Sequence, residues 1–501
     1  MATASSTFYG STSWTAPAGV TQVTITSRKE SRGMDFGGPG FIDVFGNLYR
    51  WGNPTNGVIG DNTTVAKSSP VLVVGGQLFQ SVFSVNSSGP FYGTTVAGAT
   101  YAWGLNSAGS LGTNDVTARS SPTLVVGGLI FQSIAVAANG INITACGLTA
   151  EGKAYCWGSN VFGTIGDNTT VAKSSPVLVV GGLIFKKVVG LRSGSSFAGL
   201  TSDGKIYCWG DNNSIAGVLG DNTTVSKSSP VLVAGGLTFQ DVAGKPTYFM
   251  ALSSAGQVYT WGGTSSGSSG DGTNTTHSSP QAVVGGRVYK SLIETRGDNA
   301  SNSTGAIAAD GTLYMWGAQS NGELGDGTIS NRSSPVPVLG GLKFTKVVYD
   351  TTFGASTRGL TANGDLYAWG TNNDGRLGVN DLTNRSSPVK VVGNLTFVDC
   401  GISGVSGAGC TSWGLTAAGQ IYAWGYNAFG NIGDGTTAAK SSPVPVAGGR
   451  YVGVPPVVKS TTLPVTPGNS YNLSFTTTYV TFGPFVVGTG IIDSVSISYG
   501  Q

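Results

Sequence analysis

The sequence predicts an all-β protein in which eight copies of one four-stranded unit close into a β-propeller. A seventeen-residue segment, GDNTTVAKSSPVLVVGG, occurs unchanged at 60–76 and again at 166–182. The motif Tyr-x-Trp-Gly recurs eight times, at intervals of 52 to 55 residues. Glycine accounts for 80 of the 501 residues and only 10% are charged, a composition typical of short strands joined by tight turns. Because one such unit cannot bury its own faces, neighbouring units must stack around an axis.

The third strand of each unit carries the Trp-Gly dipeptide, with a tyrosine two positions before the tryptophan. This spacing places both rings on one face of the strand, which we expect to be buried. A glycine at a fixed position before each of these strands predicts a tight hairpin with the preceding strand. The tryptophans predicted to form the repeat core are Trp51, Trp103, Trp157, Trp209, Trp261, Trp316, Trp369 and Trp424.

The fourth strand of each unit begins at a Ser-Ser-Pro sequence. Proline lacks a main-chain donor and is suited to the start or the edge of a strand, so this strand is predicted to be the outer one. An aromatic residue then opens the first strand of the next unit. For the first unit two closures are possible: the segment at Tyr451, or the N-terminal strand VTQVTITS, completes the sheet and covers the open edges of the ring.

The repeat, as in GDLYAWGTNNDGRLG at 364–378 and GQIYAWGYNAFGNIGDGTTAAKSSPVPV at 419–446, resembles the RCC1 repeat family (regulator of chromosome condensation). The resemblance covers residues 28–451. Members of that family typically form seven blades. Eight Trp-Gly strands, each with a hairpin before it and a Ser-Pro strand after it, favour eight blades here, with seven as the alternative.

The two chain ends, residues 1–27 and 452–501, lack the repeat and are predicted to form one small β module at the point where the ring closes. The segment WTAPAGVTQVTIT, the segment from Val465 to Tyr471 and the final strand resemble the terminal β modules of bacteriophage structural proteins, tail fibres especially. That resemblance implies anchoring to other virion proteins through the terminal module.

The composition argues against several classes of function. His277 is the single histidine, so multi-histidine metal sites cannot be built. The acidic residues mostly recur in register, as turn formers rather than as a catalytic pair or a calcium site. The net charge of +3 comes without a basic run, and no stretch approaches 18 apolar residues. We therefore predict no catalytic residue, no metal, no cofactor, no nucleic acid partner and no membrane insertion.

A cation or the histidine precedes every Ser-Ser-Pro. One interpretation is a positive rim that attracts an acidic glycan or partner. The other, which we favour, is that the residue pairs with an aspartate six positions earlier and locks the loop, as the sequence allows in six of eight units. These residues are Lys67, Arg119, Lys173, Lys227, His277, Arg332, Arg385 and Lys440.

Cys146 and Cys156 lie ten residues apart across a predicted hairpin, opposite one another on adjacent strands. A disulfide and a pair of buried thiols are both open. Cys400 and Cys410 are a second possible pair. The pattern also resembles bacterial relatives of the repeat, in which such a pair is commonly oxidised. A bridge would imply a location outside a reducing cytosol.

Differences between the units concentrate in the loop between the first and second strands, where recognition can vary without cost to the scaffold. Aromatic and arginine side chains there suit contact with a protein or stacking on sugars; the alternative is that half of them turn inward. The candidate partner-binding residues are Phe91, Tyr92, Tyr248, Phe249, Arg296, Asn299, Tyr349 and Phe353.

The predicted function is that of a non-enzymatic virion component, a tail fibre or capsid-surface appendage, that displays a propeller face to a host-surface glycan or protein. Its predicted location is the virion surface. The alternative is an extracellular bacterial propeller that binds a protein partner. A chromatin-binding protein is disfavoured, because the basic N-terminal arm expected for chromatin is missing. A guanine-nucleotide exchange factor is disfavoured as well, because no acidic loop insertion matches an exchange wedge. A homo-oligomer stays open, since no heptad stretch is present.

Overall fold

The computed structural model describes residues 3–8, 12–15, 22–28, 39–43, 45–84, 89–95, 97–214, 217–296, 303–350, 355–405, 409–448, 459–464, 470–475, 479–482, 485–489 and 494–500. The chain divides into two compact units. One comprises Met1–Arg32, Ala417–Gly419 and Val452–Gln501, and is called the terminal module here. The other comprises Gly33–Thr416 and Gln420–Tyr451, and is called the propeller.

The terminal module contains strands from both chain ends in two four-stranded sheets. One sheet has the order β1-β40-β3-β36 and the other the order β2-β37-β38-β39. The strands are β1 (Thr3–Phe8), β2 (Thr12–Thr15), β3 (Gln22–Arg28), β36 (Lys459–Pro464), β37 (Ser470–Phe475), β38 (Tyr479–Phe482), β39 (Phe485–Thr489) and β40 (Ser494–Gly500). The N-terminal segment VTQVTITS therefore belongs to this module, where β3 lies between β36 and β40. Its alternative role as the strand that completes the first blade is wrong.

The propeller contains eight antiparallel sheets in chain order, which confirms eight blades and rejects seven. Blade 1 has three described strands. The strands are, in blade 1, β4 (Gly40–Ile42), β5 (Leu48–Gly52) and β6 (Lys67–Leu72); in blade 2, β7 (Phe79–Ser84), β8 (Phe91–Thr95), β9 (Thr100–Gly104) and β10 (Arg119–Leu124); in blade 3, β11 (Phe131–Asn139), β12 (Asn142–Thr149), β13 (Ala154–Gly158) and β14 (Lys173–Leu178); in blade 4, β15 (Phe185–Gly190), β16 (Ser196–Thr201), β17 (Ile206–Gly210) and β18 (Lys227–Leu232); in blade 5, β19 (Phe239–Gly244), β20 (Tyr248–Ser253), β21 (Val258–Gly262) and β22 (His277–Ala282); in blade 6, β23 (Tyr289–Leu292), β25 (Ser303–Ala308), β26 (Leu313–Gly317) and β27 (Arg332–Pro337); in blade 7, β28 (Phe344–Asp350), β29 (Ser356–Thr361), β30 (Leu366–Gly370) and β31 (Arg385–Lys390); and in blade 8, β32 (Phe397–Val405), β33 (Gly409–Thr416), β34 (Ile421–Gly425) and β35 (Lys440–Pro445).

One short strand crosses between blades. After β23, the chain of blade 6 continues into β24 (Glu294–Arg296), which pairs in parallel with β28 of blade 7. Two short 3-10 helices, Thr55–Gly57 and Ser107–Gly109, lie in the loops that follow the third strands of blades 1 and 2. Across the described residues, no helix has the length and the hydropathy needed to cross a membrane.

Antiparallel strands define two faces of the propeller. The loops that join first to second strands and third to fourth strands lie at one end of every blade, called the loop face. The hairpin turns between second and third strands, and the connections to the next blade, lie at the other end, called the turn face. The hairpin glycines predicted from the sequence have positive φ, for example 77° at Gly152 and 81° at Gly364.

The repeat tryptophans lie in the core between blades. All eight are at most 1% exposed, whereas the tyrosines two positions earlier are half-buried and pack against the rims of the same clusters. Seven indole Nε1 groups donate to a main-chain carbonyl in the third-to-fourth loop of the preceding blade. The acceptors are Val58 for Trp103, Ser110 for Trp157, Thr164 for Trp209, Ser268 for Trp316, Glu323 for Trp369, Arg376 for Trp424 and Asn431 for Trp51. The last bond joins blade 1 to blade 8 and closes the ring.

Candidate functional site

The aromatic residues predicted to form a partner-binding face are buried. Phe91, Tyr92, Tyr248, Phe249 and Tyr349 are each 0% exposed. They lie in the first or second strands of their blades rather than in the loops, and they pack on the repeat tryptophans. The ring of Phe91 stacks on that of Trp103 at 6.0 Å, and the ring of Tyr92 meets that of Trp157 edge to face at 5.9 Å. The prediction that these five residues contact a partner is therefore wrong.

The other three candidates fall at the edge of what the structure describes. Arg296 ends β24, with its main chain opposite Asp350 of β28, and its side chain lies outside the described part of the molecule. Asn299 and Phe353 also lie outside the described residues.

One cross-strand position explains why the ring of Tyr92 turns inward. At the same place in every blade, a residue of the second strand faces a residue of the third, and outside blades 3 and 4 a bulky residue there faces a smaller one. Since the space between blades is filled at crystal-like density, one bulky group needs a smaller partner. The pairs are Gly40 with Arg50, Tyr92 with Ala102, Cys146 with Cys156, Ala198 with Cys208, Met250 with Thr260, Gly305 with Met315, Arg358 with Ala368, and Trp413 with Ala423.

The cysteines divide into one bridge and three thiols. Cys146 and Cys156 form a disulfide with a Cα–Cα distance of 4.0 Å. Cys208, Cys400 and Cys410 are buried thiols. The predicted bridge between Cys400 and Cys410 is not formed, because the register pairs Cys400 with Gly414 and Cys410 with Gly404. The two cysteines are thus separated by about 13 Å along the strands, beyond disulfide reach.

A buried polar cluster surrounds Cys410 at the junction of blades 7 and 8. The guanidinium of Arg358 donates to the hydroxyls of Ser356 and Ser412 and to the carbonyl of Arg376. Burial, with a further contribution from the carboxylate of Asp350, raises the pKa of the Cys410 thiol well above its usual value. A thiol in this state is a poor nucleophile, so the cluster is structural.

The residue before each Ser-Ser-Pro, a cation in seven blades and His277 in blade 5, is paired in all eight blades, as the favoured interpretation requires. Each lies within 3.6 Å of an aspartate carboxylate in its own loop. The two partners that the sequence analysis missed are Asp115 and Asp381, four positions before their arginines instead of six. Burial alone would raise the pKa of Asp326, but hydrogen bonds from Thr328 and Arg332 outweigh it and lower that pKa.

In these loops the carboxylate oxygens of the aspartates accept hydrogen bonds from other groups of the protein. Asp167 accepts from the main-chain N–H and the hydroxyl of Thr169, and from Nδ2 of Asn160. Asn160 also donates to the carbonyl of Val171, so it fastens the loop from inside. Among the described residues, no group of three or more His, Cys, Asp or Glu side chains converges as a metal site requires. The turn-forming interpretation of the aspartates accounts for their contacts.

A central cavity of about 570 Å³ lies between the first strands of blades 2 to 6. Its wall is mostly valine, alanine and main chain, with the charged side chains of Lys187, Arg192, Asp241 and Lys245. Lys187 Nζ lies 2.6 Å from Asp241 Oδ1, a pair that joins blades 4 and 5. Lys346 and Asp399 form the equivalent pair between blades 7 and 8, at 2.8 Å. The signal in the sequence was the second residue after each opening aromatic, which is charged only in these four blades.

At the tip of the blade 3 hairpin, the loop face carries an exposed apolar side chain that the sequence analysis missed. The hairpin of blade 3 is built from strands of nine and eight residues, where most first and second strands have four to six. At its tip Ile141 is 74% exposed. The carbonyl of Ile141 accepts a hydrogen bond from Ser107 Oγ of blade 2, 2.7 Å away, and Ser159 Oγ donates to Asn142 Oδ1 at 3.3 Å. The tip is thus held at its main chain while the side chain of Ile141, with Val161 in the next loop, faces solvent.

These observations define a class of protein, a closed repeat β-propeller in which most charged side chains form ion pairs and hydrogen bonds within their own loops. The model of the regulator of chromosome condensation (RCC1) repeat matches residues 310–350, 363–406 and 418–460, and a second RCC1 repeat model matches 144–164 and 193–214. These parts of the chain contain RCC1 repeats, as the sequence resemblance predicted, and the propeller is similar to those of RCC1-repeat proteins.

Two curated relatives show the range of proteins that contain similar repeats. The E3 ubiquitin-protein ligase HERC2 of Mus musculus is 28% identical over 359 residues, which cover 70% of this chain but only 7% of HERC2. The regulator of chromosome condensation of Mus musculus is 26% identical over 375 residues, 71% of this chain and 86% of the relative. The chain thus spans a small part of HERC2 and most of the regulator.

Solved structures share the fold. Human WBSCR16 superposes with a TM-score of 0.52 at 20% identity, covering 74% of this chain and 100% of that one. Prp20p of Saccharomyces cerevisiae superposes with a TM-score of 0.51 at 18% identity, covering 80% and 90%. The similarity to these two structures concerns the propeller architecture.

Proposed function

We infer that the propeller is a non-enzymatic protein-binding scaffold whose loop face contacts a partner protein through the hairpin of blade 3. The observation that carries this proposal is Ile141, an apolar side chain 74% exposed on a main chain fixed by Ser107. A fixed apolar side chain loses little entropy on contact, which is the property of an interface anchor. Support also comes from Prp20p, whose structural report describes binding to Gsp1p and histones, and from a second structure in which it is bound to Kap60.

A photo-crosslinking experiment tests the proposal. Benzoylphenylalanine is placed at position 141, or as a control at Ile130, which lies in the same blade on the turn face and is 58% exposed. Both proteins are irradiated in an extract of the organism that encodes the chain. We expect a covalent protein adduct from position 141 and none from position 130. Equal adducts from both positions, or none from position 141, would contradict a binding role for the loop face.

The disulfide supports a location outside a reducing cytosol, because structural disulfides persist in oxidising surroundings. This is compatible with the virion surface and with the extracellular alternative. The assignment to a virion, with the terminal module bound to other virion proteins and the propeller facing a host glycan or protein, stays a prediction. Mass spectrometry of purified particles tests it, and absence of the chain from particles would favour the extracellular protein-binding role.

A further inference from the structure

The loop face of blade 8 carries two aromatic side chains next to each other. Tyr426 and Phe429 lie in the loop between β34 and β35, with their ring centroids 6.4 Å apart and their planes at 60°. Phe429 is 37% exposed and Tyr426 is half-buried. The main-chain N–H of Tyr426 donates to the carbonyl of Cys410 at 3.0 Å, and its carbonyl accepts from Thr411 Oγ1 at 2.6 Å. The two rings therefore reach solvent from a fixed main chain.

A carboxylate of the preceding blade lies beside these rings. A Cβ atom on Gly409 would lie 2.5 Å from Cγ of Tyr426 and 2.8 Å from Oδ2 of Asp374. A side chain at Gly409 would thus occupy the space in which the ring and the carboxylate approach each other. Partial burial, together with the charge of Asp374, raises the pKa of the Tyr426 hydroxyl. The ring and the carboxylate therefore form one local group at the junction of blades 7 and 8.

The charge of this carboxylate is balanced. Nε and Nη2 of Arg376 donate to Oδ1 and Oδ2 of Asp374 at 2.8 and 2.9 Å, a bidentate pair. A carboxylate has about four acceptor positions, and Arg376 fills two of those on Asp374. The Asp374 side chain is 15% exposed, so the other positions are open to a donor from solvent. The hydroxyl of Tyr426 has no hydrogen-bond partner among the described residues.

These groups match the chemistry of a neutral sugar. A pyranose ring presents C–H groups on its faces, which pack on aromatic rings, and hydroxyls on its rim, which both donate and accept hydrogen bonds. Phe429 and Tyr426 supply the aromatic surface, Asp374 supplies an acceptor, and the Tyr426 hydroxyl supplies a donor and an acceptor. Because Arg376 balances the charge of Asp374, the group favours neither a cation nor an anion.

We propose that the loop face at the junction of blades 7 and 8 binds a neutral carbohydrate, whose ring packs on Phe429 while its hydroxyls bond to Tyr426 and Asp374. The signal in the sequence is the segment Tyr-Asn-Ala-Phe at 426–429, because blade 8 is the only blade with an aromatic residue at the position of Tyr426. This inference goes beyond the proposed contact of the blade 3 hairpin with a protein and does not depend on it.

Blade 3 offers a matched control. Phe162 occupies the position of Phe429 in the corresponding loop and is half-buried. Ser159 stands at the position of Tyr426, and Ala108 of the preceding blade stands at the position of Asp374. Phe162→Ala therefore removes an aromatic ring from the same place in the loop without changing the group of Tyr426, Phe429 and Asp374.

Saturation-transfer difference NMR on the full chain tests the proposal, with cellotetraose, mannotetraose and N-acetylated chitotetraose as neutral probes and tetragalacturonate as an anionic one. We expect at least one neutral probe to receive magnetisation at its ring C–H protons, and tetragalacturonate to receive none. Titration with the neutral probe that binds then compares the variants. We expect Phe429→Ala to weaken binding about tenfold and Tyr426→Phe, which keeps the ring, to weaken it about threefold, whereas Phe162→Ala should match the wild type.

Four outcomes overturn the proposal. They are no signal from any neutral probe, a signal from tetragalacturonate equal to theirs, an affinity unchanged in both Phe429→Ala and Tyr426→Phe, and a loss in Phe162→Ala equal to that in Phe429→Ala. Tyr426→Phe removes a single oxygen atom, so it decides the question even where Phe429→Ala lowers the unfolding midpoint. Crosslinking at position 141 tests the protein contact of blade 3 separately, so the failure of either proposal is recognised without the other.

Discussion

The indole Nε1 of Trp51 donates a hydrogen bond to the main-chain carbonyl of Asn431, 2.9 Å away and 380 residues further along the chain. The six other bonds of this kind join blades adjacent in sequence, but this one joins the last blade to the first. Main-chain approach accompanies it, since Gly435 N–H donates to the carbonyl of Ser68 at 2.8 Å. The ring is thus closed by the same contact that links its interior blades.

Substitution of this tryptophan tests the contribution of the closing bond. Trp51→Phe removes the bond and some ring volume, and we expect the free energy of unfolding to fall by about 2–4 kcal/mol. Trp261→Phe is the matched control, because Trp261 is equally buried and its Nε1 has no hydrogen-bond partner among the described residues. The third-to-fourth loop of the preceding blade, blade 4, is two residues longer than its counterparts in the other seven blades.

Chemical denaturation measures both variants. We expect Trp261→Phe to cost about 1 kcal/mol less than Trp51→Phe, the net contribution of one hydrogen bond. Equal losses would show that the closing bond adds nothing beyond ring packing.

Two buried arginines are expected to respond in opposite ways to the same substitution. Arg50 is 1% exposed and stacks on Phe91 at 3.4 Å, but its Nε and Nη1 have no hydrogen-bond partner among the described residues. Burial lowers the pKa of Arg50 to about 9. Because this pKa lies below the value in the unfolded chain, the charge destabilises the fold fully at pH values under 9, including neutral pH.

Arg50→Met is therefore expected to raise the free energy of unfolding at pH 7 by about 1–2 kcal/mol, since the contact with Phe91 offsets only part of the desolvation. Arg358→Met is expected to lower it by about 3 kcal/mol, because it leaves Ser356, Ser412 and the carbonyl of Arg376 without their donor. Denaturation midpoints at pH 7 distinguish the two. A loss of stability in both variants would mean that Arg50 stabilises the junction of blades 1 and 2.

The disulfide of blade 3 is expected to add stability that a reductant removes. Closing a loop of this length contributes about 2–3 kcal/mol, so the unfolding midpoint should fall when the protein is denatured with dithiothreitol. Cys146→Ala with Cys156→Ala should show the lower midpoint with and without reductant. Cys208→Ala, which changes a buried thiol without a bridge, should keep the full response to reductant. An unchanged wild-type midpoint in dithiothreitol would show that the two thiols are not bridged in solution.

Acid is expected to weaken the loops that precede the outer strands. Hydrogen bonds and paired cations lower the pKa of Asp61, Asp271, Asp326 and Asp434 despite their partial burial. A carboxyl group with a lowered pKa in the folded state contributes stability that is present above the unfolded value, about pH 4, and is lost as the pH falls through the folded value.

The unfolding midpoint should therefore fall progressively below about pH 4. Asp326→Asn should lower the free energy of unfolding at pH 7 by at most about 1 kcal/mol for a pair of this exposure, and with it the unfolding midpoint. The same substitution should make the midpoint less dependent on pH in the acid range. Thermal unfolding monitored by circular dichroism between pH 7 and pH 2 measures both effects. A midpoint independent of pH would contradict a stabilising role for these pairs.

The sequence by itself determined the repeat, the number of blades and the buried tryptophans, because each copy must satisfy the same local geometry and the copies can be compared with one another. It also indicated the pairs between cations and aspartates, since a spacing of six residues within one loop is a local relation. Only the tertiary structure decided where the variable aromatic residues lie. Tyr92 follows a loop in the sequence, but the space between neighbouring blades admits one large side chain opposite Ala102, and the ring of Tyr92 fills it.

The tertiary structure also decided which pair of cysteines can form a disulfide and which charged residues of different blades meet. Cys146 lies directly opposite Cys156 in the register of β12 and β13. In the longer hairpin of β32 and β33, the residue opposite Cys400 is Gly414, four positions from Cys410. Both cysteine pairs are ten residues apart in the sequence, so strand pairing and not spacing decides which pair can form a bridge. Lys187 and Asp241 lie 54 residues apart and meet because their blades are adjacent around the axis. A charge at the second residue after the opening aromatic marks these positions in the sequence, but only the adjacency of blades around the axis decides which charges meet.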